Sequence, residues 1–190
     1  MPILDHFGIV APYYDRVIRL RTAEMMIDLA NLPAQGALLD AGGGTGRVAA
    51  ALAGLVSGLV VADLSMDMLK QARNKGDLET VCSHSEKLPF ADATFDRVIM
   101  VDALHHVIDQ RQTAAELWRV LCPGGRIVIE EPDIRTLAVK LVAVAEKLAL
   151  MRSHFLSPEA IEGLFPFSNA IISTQDDGFN AWVMIDKPGL

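Results

Sequence analysis

Positive charge and cysteine are both scarce in this chain. Its 190 residues include 17 Lys and Arg against 24 Asp and Glu, for a net charge of −7, and no two basic residues are adjacent. A protein that binds the phosphate backbone of nucleic acids needs a basic footprint, so we expect no nucleic-acid partner. The two cysteines, Cys82 and Cys122, are too few for a disulfide framework or a four-ligand zinc site, and they suit a reducing compartment.

Long apolar runs are missing as well. The longest nearly apolar run, residues 49–62, is too short to cross a bilayer and is interrupted by Gly54, Ser57 and Gly58. The first residues lack the basic start and the apolar stretch of a signal peptide. We therefore expect a cytoplasmic protein without membrane insertion.

Short apolar strands alternate with helical patterns along the chain. The strands are continuous apolar runs, which is typical of a parallel sheet covered on both faces. This pattern predicts an α/β fold with a doubly wound sheet, in a single domain over residues 1–190. We expect strands at 37–40, 58–62, 80–83, 95–101 and 126–130, a terminal β-hairpin at 170–174 and 180–186, and helices at 16–32, 47–55, 65–75, 111–121, 136–152 and 157–164.

A glycine-rich loop follows the first predicted strand. Residues 40–46 read Asp-Ala-Gly-Gly-Gly-Thr-Gly, and glycines let the backbone turn sharply and let a ligand approach closely. Asp63 ends the next strand about 20 residues further on, where a carboxylate can accept both hydroxyls of a ribose. The two features together predict an adenosine-type ligand at the ends of the first two strands. A tight turn without a ligand is the alternative.

The spacing of the glycines distinguishes classes of adenosine ligand. A dinucleotide-binding loop reads Gly-x-Gly-x-x-Gly, but Arg47 stands at the third glycine position and the spacing here is Gly-x-Gly-x-Gly. The chain also has no Gly-Lys-Ser/Thr phosphate loop. An NAD(P)-dependent oxidoreductase therefore stays an alternative that the spacing disfavours.

Six short segments follow one another in a recognisable order. They are residues 7–15 (Phe-x3-Ala-x2-Tyr-Asp), 38–46, 63–69, 88–96, 104–107 (Leu-His-His-Val) and 121–125 (Leu-Cys-Pro-Gly-Gly). In order and spacing they resemble the class I S-adenosylmethionine-dependent methyltransferases, in the small-molecule group that includes the ubiquinone and menaquinone biosynthesis methylases. The resemblance implies a Rossmann-like, seven-stranded, mostly parallel sheet with helices on both faces and an antiparallel last strand. It also implies S-adenosylmethionine as the cofactor and methyl transfer by in-line displacement.

The same resemblance implies a division of the chain and a set of binding residues. Residues 1–34 would form a lid region, 35–133 the cofactor-binding core, and 134–190 the substrate-side helices and the last two strands. The family usually has an aspartate where His84 stands, so a neutral imidazole nitrogen takes over the adenine contact or the contact is lost. The implied cofactor-binding residues are Tyr14, Asp40, Gly42, Gly44, Gly46, Asp63, Leu64, Met68, His84, Ser85, Glu86 and Val101.

A general base is needed only if the methyl acceptor must lose a proton. His105 and His106 follow the fourth strand and are the natural candidates, because histidine titrates near neutral pH. Asp102 and Tyr13 are weaker candidates, and the alternative for both histidines is that they only pack or hydrogen-bond within the loop. We see no cluster of carboxylates on the substrate side and expect no metal.

The expected methyl acceptor is a small molecule, because the charge balance and the motifs disfavour nucleic acids. Residues 136–151 carry only three charged side chains, and a helix that is apolar nearly all round is buried on more than one side. It would form a homodimer interface, the roof of an apolar substrate pocket or an ordinary core helix. A non-catalytic module that binds the cofactor, or acts through interaction alone, is the second functional hypothesis.

Overall fold

A computed structural model describes residues 21–76, 78–137, 139–141, 143 and 153–189. Strands and helices alternate from the start of this part of the chain to residue 132, except that no helix separates the strands Glu79–Cys82 and Phe95–Val101. The last two strands are also consecutive. In chain order the elements are α1 (Arg21–Leu29), β1 (Ala37–Ala41), α2 (Arg47–Leu52), β2 (Gly58–Asp63), α3 (Met66–Arg73), β3 (Glu79–Cys82), β4 (Phe95–Val101), a short 3-10 helix (Leu104–His106), α4 (Gln110–Val120), β5 (Leu121–Pro132), α5 (Pro158–Glu162), β6 (Ile171–Asp176) and β7 (Asn180–Asp186).

The seven strands form one sheet in the order β3-β2-β1-β4-β5-β7-β6. Strands β1 to β5 pair in parallel, whereas β7 is antiparallel to both of its neighbours, β5 and β6. The expected mostly parallel sheet with an antiparallel last strand and a terminal hairpin is therefore confirmed. Because β1 lies between β2 and β4, the carboxyl ends of these three strands meet at the centre of one edge, which is where open α/β sheets bind ligands.

Helices cover both faces of the sheet, and neighbouring strand residues face opposite ways. Leu38 points toward one apolar cluster, with α1, α2 and α3, and Leu39 points toward the other, with α4 and α5. Val98 and Ile99 on β4 divide between the two clusters in the same manner. Each central strand is thus apolar on both sides, which explains the continuous apolar runs in the sequence.

Serine residues cap the starts of two helices. The Ser65 hydroxyl accepts a hydrogen bond from the Met68 N–H at 3.4 Å and caps α3. The Ser157 hydroxyl caps α5 by accepting from the Ala160 N–H at 3.3 Å. A side-chain oxygen at this position satisfies one of the backbone donors that a helix leaves unpaired at its start.

Several boundaries differ from the sequence-based expectation for identifiable reasons. Helix α2 ends at Leu52 rather than at residue 55, shortly before Gly54 adopts a left-handed φ of 82°. Strand β5 begins at Leu121 rather than at residue 126, because Leu121 pairs with Phe95 before a register shift. The turn residues Pro123 to Gly125 lie within that irregularity, so the strand continues through a segment that reads as a loop.

The two longest predicted helices lie partly outside the described residues. For the predicted helix 16–32, α1 covers Arg21–Leu29, and a left-handed φ of 52° at Asn31 prevents its continuation. For the predicted helix 136–152, residues 137, 139–141 and 143 are helical. In the part of the chain that the structure describes, no helix is both long and apolar enough to span a membrane. The division into regions 1–34, 35–133 and 134–190 stays a prediction.

Candidate functional site

The loop between β1 and α2 is shaped by glycines in left-handed conformations. Gly42, Gly44 and Gly46 have φ values of 70°, 54° and 68°. The Gly42 N–H donates to the Ala62 carbonyl at 2.7 Å, which fastens the loop to β2. A Cβ at Gly42 would lie 2.6 Å from the Cβ of Ala103, so the loop also touches the segment after β4. Glycine is required here both by the backbone angle and by the close approach.

Asp63, the last residue of β2, fixes this loop through its side chain. One carboxylate oxygen accepts the Gly44 N–H at 2.8 Å, and the other accepts the Ser65 N–H at 2.7 Å. An ionised carboxylate only accepts hydrogen bonds, so these two bonds orient the group. The sequence-predicted pair of glycine loop and strand-end aspartate is therefore brought together, with the acid bonded directly to the loop.

Asp40 lies beneath the same loop in a very different environment. Its side chain is 1% exposed, and a Cβ at Gly43 would lie 2.5 Å from its carboxyl carbon. Neither carboxyl oxygen has a hydrogen-bond partner within the described parts of the chain, although the Ala49 N–H lies close enough to favour the charged form. Burial, assisted by the charge of Asp63, raises the pKa of Asp40 to about 7, and the Arg47 guanidinium opposes the rise.

The buried carboxyl of Asp40, which has no hydrogen-bond partner in the described parts of the chain, indicates what kind of ligand fits this edge of the sheet. Such a group costs free energy unless a donor or a cation reaches it. An α-ammonium group of a ligand lying over the glycine loop would supply both. The Asp40 carboxyl, the cradle at Gly43 and the neighbouring Asp63 therefore fit a ligand with an amino-acid end and a ribose.

The segment after β4 begins with a strained residue and continues into the short 3-10 helix. Asp102 has a left-handed φ of 51°, which is unusual for a residue other than glycine. His105 is 4% exposed, and its Nδ1 lies 2.6 Å from Oε2 of Glu131 on β5. The ring of His106 lies against that of His105, with centroids 3.9 Å apart and the ring planes tilted by 47°. Burial, reinforced by the neighbouring His105, lowers the pKa of His106 to about 3.

The predicted adenine-binding residues lie just after the ends of β2 and β3. Leu64 is 59% exposed, whereas Met68 is only 3% exposed and is covered by the protein. His84 is largely exposed, and its Nδ1 lies 3.9 Å from Oε2 of Glu86. The other oxygen of Glu86 accepts the N–H groups of Ile108 at 2.9 Å and Asp109 at 3.3 Å. Glu86 thus ties the β3–β4 connection to the start of α4.

Comparison with known proteins gives a consistent result. Residues 39–129 match the family described as a methyltransferase domain. The ubiquinone/menaquinone biosynthesis C-methyltransferase UbiE of Klebsiella pneumoniae is 36% identical over 115 residues, which are 55% of this chain and 46% of that protein. The UbiE of Cronobacter sakazakii is 40% identical over 104 residues, which are 50% of this chain and 41% of that protein. The structure of a SAM-dependent methyltransferase from Aquifex aeolicus is 17% identical with a TM-score of 0.75, covers 94% of this chain and 97% of that chain, and shares the fold.

Residues 39–129 of this chain form a methyltransferase domain. The matched segment runs from β1 into β5 and includes the glycine loop, Asp63 and the two histidines. The chain spans less than half of the length of the two UbiE proteins that it matches. The family resemblance inferred from the six sequence segments is confirmed, and S-adenosylmethionine is the cofactor that the domain implies.

The methyltransferase domain places most of the sequence-predicted binding residues along one edge of the sheet. Asp40 and Asp63 flank the glycine loop, and Val101, half-buried, ends the adjacent strand β4. The small exposed fraction of Met68 leaves Leu64 as the accessible apolar side chain of that pair. Tyr14 and Tyr13 lie outside the described residues. Among the described residues, no group of three or more His, Cys, Asp or Glu side chains is arranged to hold a metal.

Sequence reasoning missed one functional candidate of the methyltransferase domain, Glu131. Its signal in the sequence is the pair Glu130-Glu131 directly after the apolar residues 127–129. Both carboxylates are buried, at 1% and 2% exposure, so each requires hydrogen-bond donors from the fold. The pair of glutamates is visible in the sequence, but the hydrogen-bond donors that each glutamate meets are not.

Proposed function

We propose that this protein transfers a methyl group from S-adenosylmethionine to a small-molecule acceptor by in-line displacement. The observation that carries the proposal is the buried, unpartnered Asp40 carboxyl beneath the glycine loop, beside Asp63 at the neighbouring strand end. The first carboxyl fits an α-ammonium group, and the second fits ribose hydroxyls.

The remaining cofactor contacts follow from this orientation. We assign the backbone of Gly42, Gly44 and Gly46 to the amino-acid half, and exposed Leu64 to one face of the adenine. Val101 would lie beneath the methionine part. His84, Ser85 and Glu86 are assigned to the adenine edge and Tyr14 to the entrance of the pocket, and Met68 supports Leu64 from the covered side. These assignments rest on the family resemblance and on the positions of the strand ends.

Alignment accounts for most of the chemistry in this proposal. S-adenosylmethionine supplies a methyl group on a sulfonium, and its departing thioether is neutral, so no acid is required. Holding the two reactants in line is worth ~7–11 kcal/mol in favourable cases. If the acceptor must lose a proton, His105 is the better candidate, because a pKa of about 3 makes His106 too weak a base near neutral pH.

The acceptor class is supported by the relatives and by the charge of the chain. The two UbiE proteins are named as C-methyltransferases of ubiquinone and menaquinone biosynthesis, which makes phenolic and quinone-precursor rings the first acceptors to test here. The negative net charge disfavours nucleic acids. A cytoplasmic location and a homodimer, both expected from the sequence, stay predictions.

The residues assigned to adenine favour a second candidate function, a module that binds the cofactor without catalysis. His84 replaces the family's aspartate and is largely exposed, and one oxygen of Glu86 is already engaged by two backbone N–H groups. Adenine recognition would then be weak, and binding without turnover would suffice for an interaction role.

The deciding experiment is calorimetric titration of the protein with S-adenosylhomocysteine, with NAD titrated in parallel. We expect micromolar binding of S-adenosylhomocysteine and no binding of NAD. A panel of phenols, quinone precursors, amines and thiols, assayed with S-adenosylmethionine, then separates the enzyme from the non-catalytic module. Binding of NAD alone would refute the proposal, and binding without turnover of any acceptor would favour the module.

A further inference from the structure

Glu131 uses its whole carboxylate on one short segment. Oε1 accepts the N–H groups of Ala103 at 3.0 Å and Leu104 at 2.7 Å, and Oε2 lies 2.6 Å from Nδ1 of His105. All three donors follow β4 directly, although Glu131 itself belongs to β5. This segment touches the glycine loop, because Ala103 occupies the space that a side chain at Gly42 would need.

The contact with Oε2 determines the protonation of the imidazole ring. A carboxylate in this position can only accept, so Nδ1 of His105 must carry the proton. In the neutral ring Nε2 is then the nitrogen with the lone pair. The ring plane is held as well, because Phe155 stacks on it at 4.3 Å between centroids and 15° between planes. The His154 N–H donates to the His105 carbonyl at 2.7 Å.

We propose that Glu131 is a positioning residue of the methyl-transfer site, which keeps His105 in the Nδ1–H tautomer and so makes Nε2 the basic nitrogen of the ring. The catalytic role of Glu131 rests on the proposed methyltransferase function, whereas the tautomer of His105 does not. The proton of the acceptor would move to Nε2, the electron pair left on the acceptor would form the bond to the methyl carbon, and the carbon–sulfur bond would break with its electron pair going to sulfur. Glu131 stabilises the resulting imidazolium through the existing hydrogen bond and does not itself take up the proton.

The neighbouring glutamate provides a matched control. Glu130 is equally buried, but it faces the other side of the sheet and accepts from Asn180 at 2.9 Å and from Trp182 at 3.1 Å. Glu131→Gln and Glu130→Gln remove the same charge from adjacent positions of one strand. Of these two glutamates, Glu131 is the one that is hydrogen-bonded to His105. In Glu131→Gln the amide oxygen keeps the two backbone N–H donors, so the amide NH2 faces Nδ1 and the ring proton must move to Nε2.

The experiment is long-range proton–nitrogen correlation spectroscopy of the full chain at pH 8, which reports the protonated nitrogen of each histidine. We expect Nδ1–H at His105 in the wild type and in Glu130→Gln, and Nε2–H in Glu131→Gln. Wild-type spectra alone test the proposal if the variant does not fold. An Nε2–H tautomer or a doubly protonated ring in the wild type would overturn it.

The kinetic consequence is measured once an acceptor is known. Glu131→Gln is expected to lower kcat by about 10²–10⁴-fold, the usual size of a general-base contribution, with the KM for S-adenosylmethionine nearly unchanged. A raised KM at unchanged kcat would overturn the positioning role and leave a structural one. The tautomer needs no cofactor, so failure of S-adenosylhomocysteine binding would refute the proposed function separately.

Discussion

Asp40 and Asp63 are two carboxyl residues at the same sheet edge with opposite surroundings. Asp63 accepts two backbone N–H groups, while Asp40 is buried without a hydrogen-bond partner in the described part of the chain. The difference arises from position, because Asp63 ends β2 beside the glycine loop and Asp40 lies one residue inside the end of β1. The two residues are therefore suited to different parts of one ligand and should respond differently to substitution.

Asp63→Ala should weaken binding of S-adenosylhomocysteine by about 10–100-fold. The reason is the loss of a charged hydrogen-bond partner for ribose, together with the two bonds that hold Gly44 and Ser65, at ~1.5–3 kcal/mol for a bond to a charged group. Calorimetric titration measures the change. Asp67→Ala is the control, since that carboxylate pairs with Lys70 at the surface and has no other contact among the described residues that this prediction involves. An equal loss in both variants would contradict the assignment.

Asp40→Asn should change the pH dependence of stability. The folded-state pKa of about 7 lies above the ordinary aspartate value of 3.8, so between these two pH values the folded state holds more of this proton than the unfolded state. The free energy of unfolding therefore falls as the pH rises through this window, by about 4 kcal/mol at most. In urea unfolding, we expect the free energy of unfolding of the variant to rise relative to that of the wild type as the pH goes from 4 to 8. Parallel curves for the two proteins would show that burial does not perturb this group.

Hydrogen bonds between loops organise the functional edge at the scale of elements. Glu86 connects the β3–β4 segment to the backbone that precedes α4, and Glu131 connects β5 to the backbone after β4. In both cases a carboxylate from one connection takes up backbone donors of another. Segments without regular structure are thereby held in place at the strand ends, where a ligand would meet them.

Glu86→Ala should loosen the start of α4 without unfolding the protein. Ile108 and Asp109 lose their common acceptor, so we expect faster amide hydrogen exchange at these two residues and about 1 kcal/mol less stability. Glu86→Gln retains an acceptor oxygen and serves as the control, with exchange close to that of the wild type. Unchanged exchange in Glu86→Ala would mean that other contacts fix this segment.

The two apolar layers share a single sheet at the scale of the whole molecule. Alternate residues of β1, β4 and β5 belong to different clusters, so neither layer keeps its packing surface if the sheet separates. The two tryptophans report on the two sides, because Trp118 packs against the cluster with α4 and Trp182 lies in the cluster with α1. The arrangement allows the cooperativity of the described core to be measured.

Trp118→Phe and Trp182→Phe variants should each unfold in one transition. In either variant the remaining tryptophan fluorescence and the far-ultraviolet circular dichroism are expected to have the same urea midpoint, because the layers depend on the same strands. The midpoints of the two variants will differ from each other, since Trp182→Phe also removes a donor to Glu130. Separate midpoints for the two probes within one variant would show that the faces unfold independently.

Local features of the chain account for the part of the fold that could be predicted. The glycine loop requires left-handed backbone angles at Gly42 and Gly44, and the serines at 65 and 157 are the side chains that cap helices. Strand β5 was predicted too short because its beginning depends on pairing with Phe95 across a register shift. Pairing between distant segments leaves no periodic pattern in either segment, so such boundaries are not visible locally.

The sequence by itself determined the alternation of strands and helices, the ligand loop and the family, because backbone angles and apolar periodicity act over a few residues. Only the tertiary structure decided which of two adjacent histidines is bonded to a carboxylate and which of two adjacent glutamates supplies it. Successive strand residues face opposite sides of a sheet, so Glu130 and Glu131 have different partners despite identical side chains. Those partners come from other strands and loops, and folding alone brings them together.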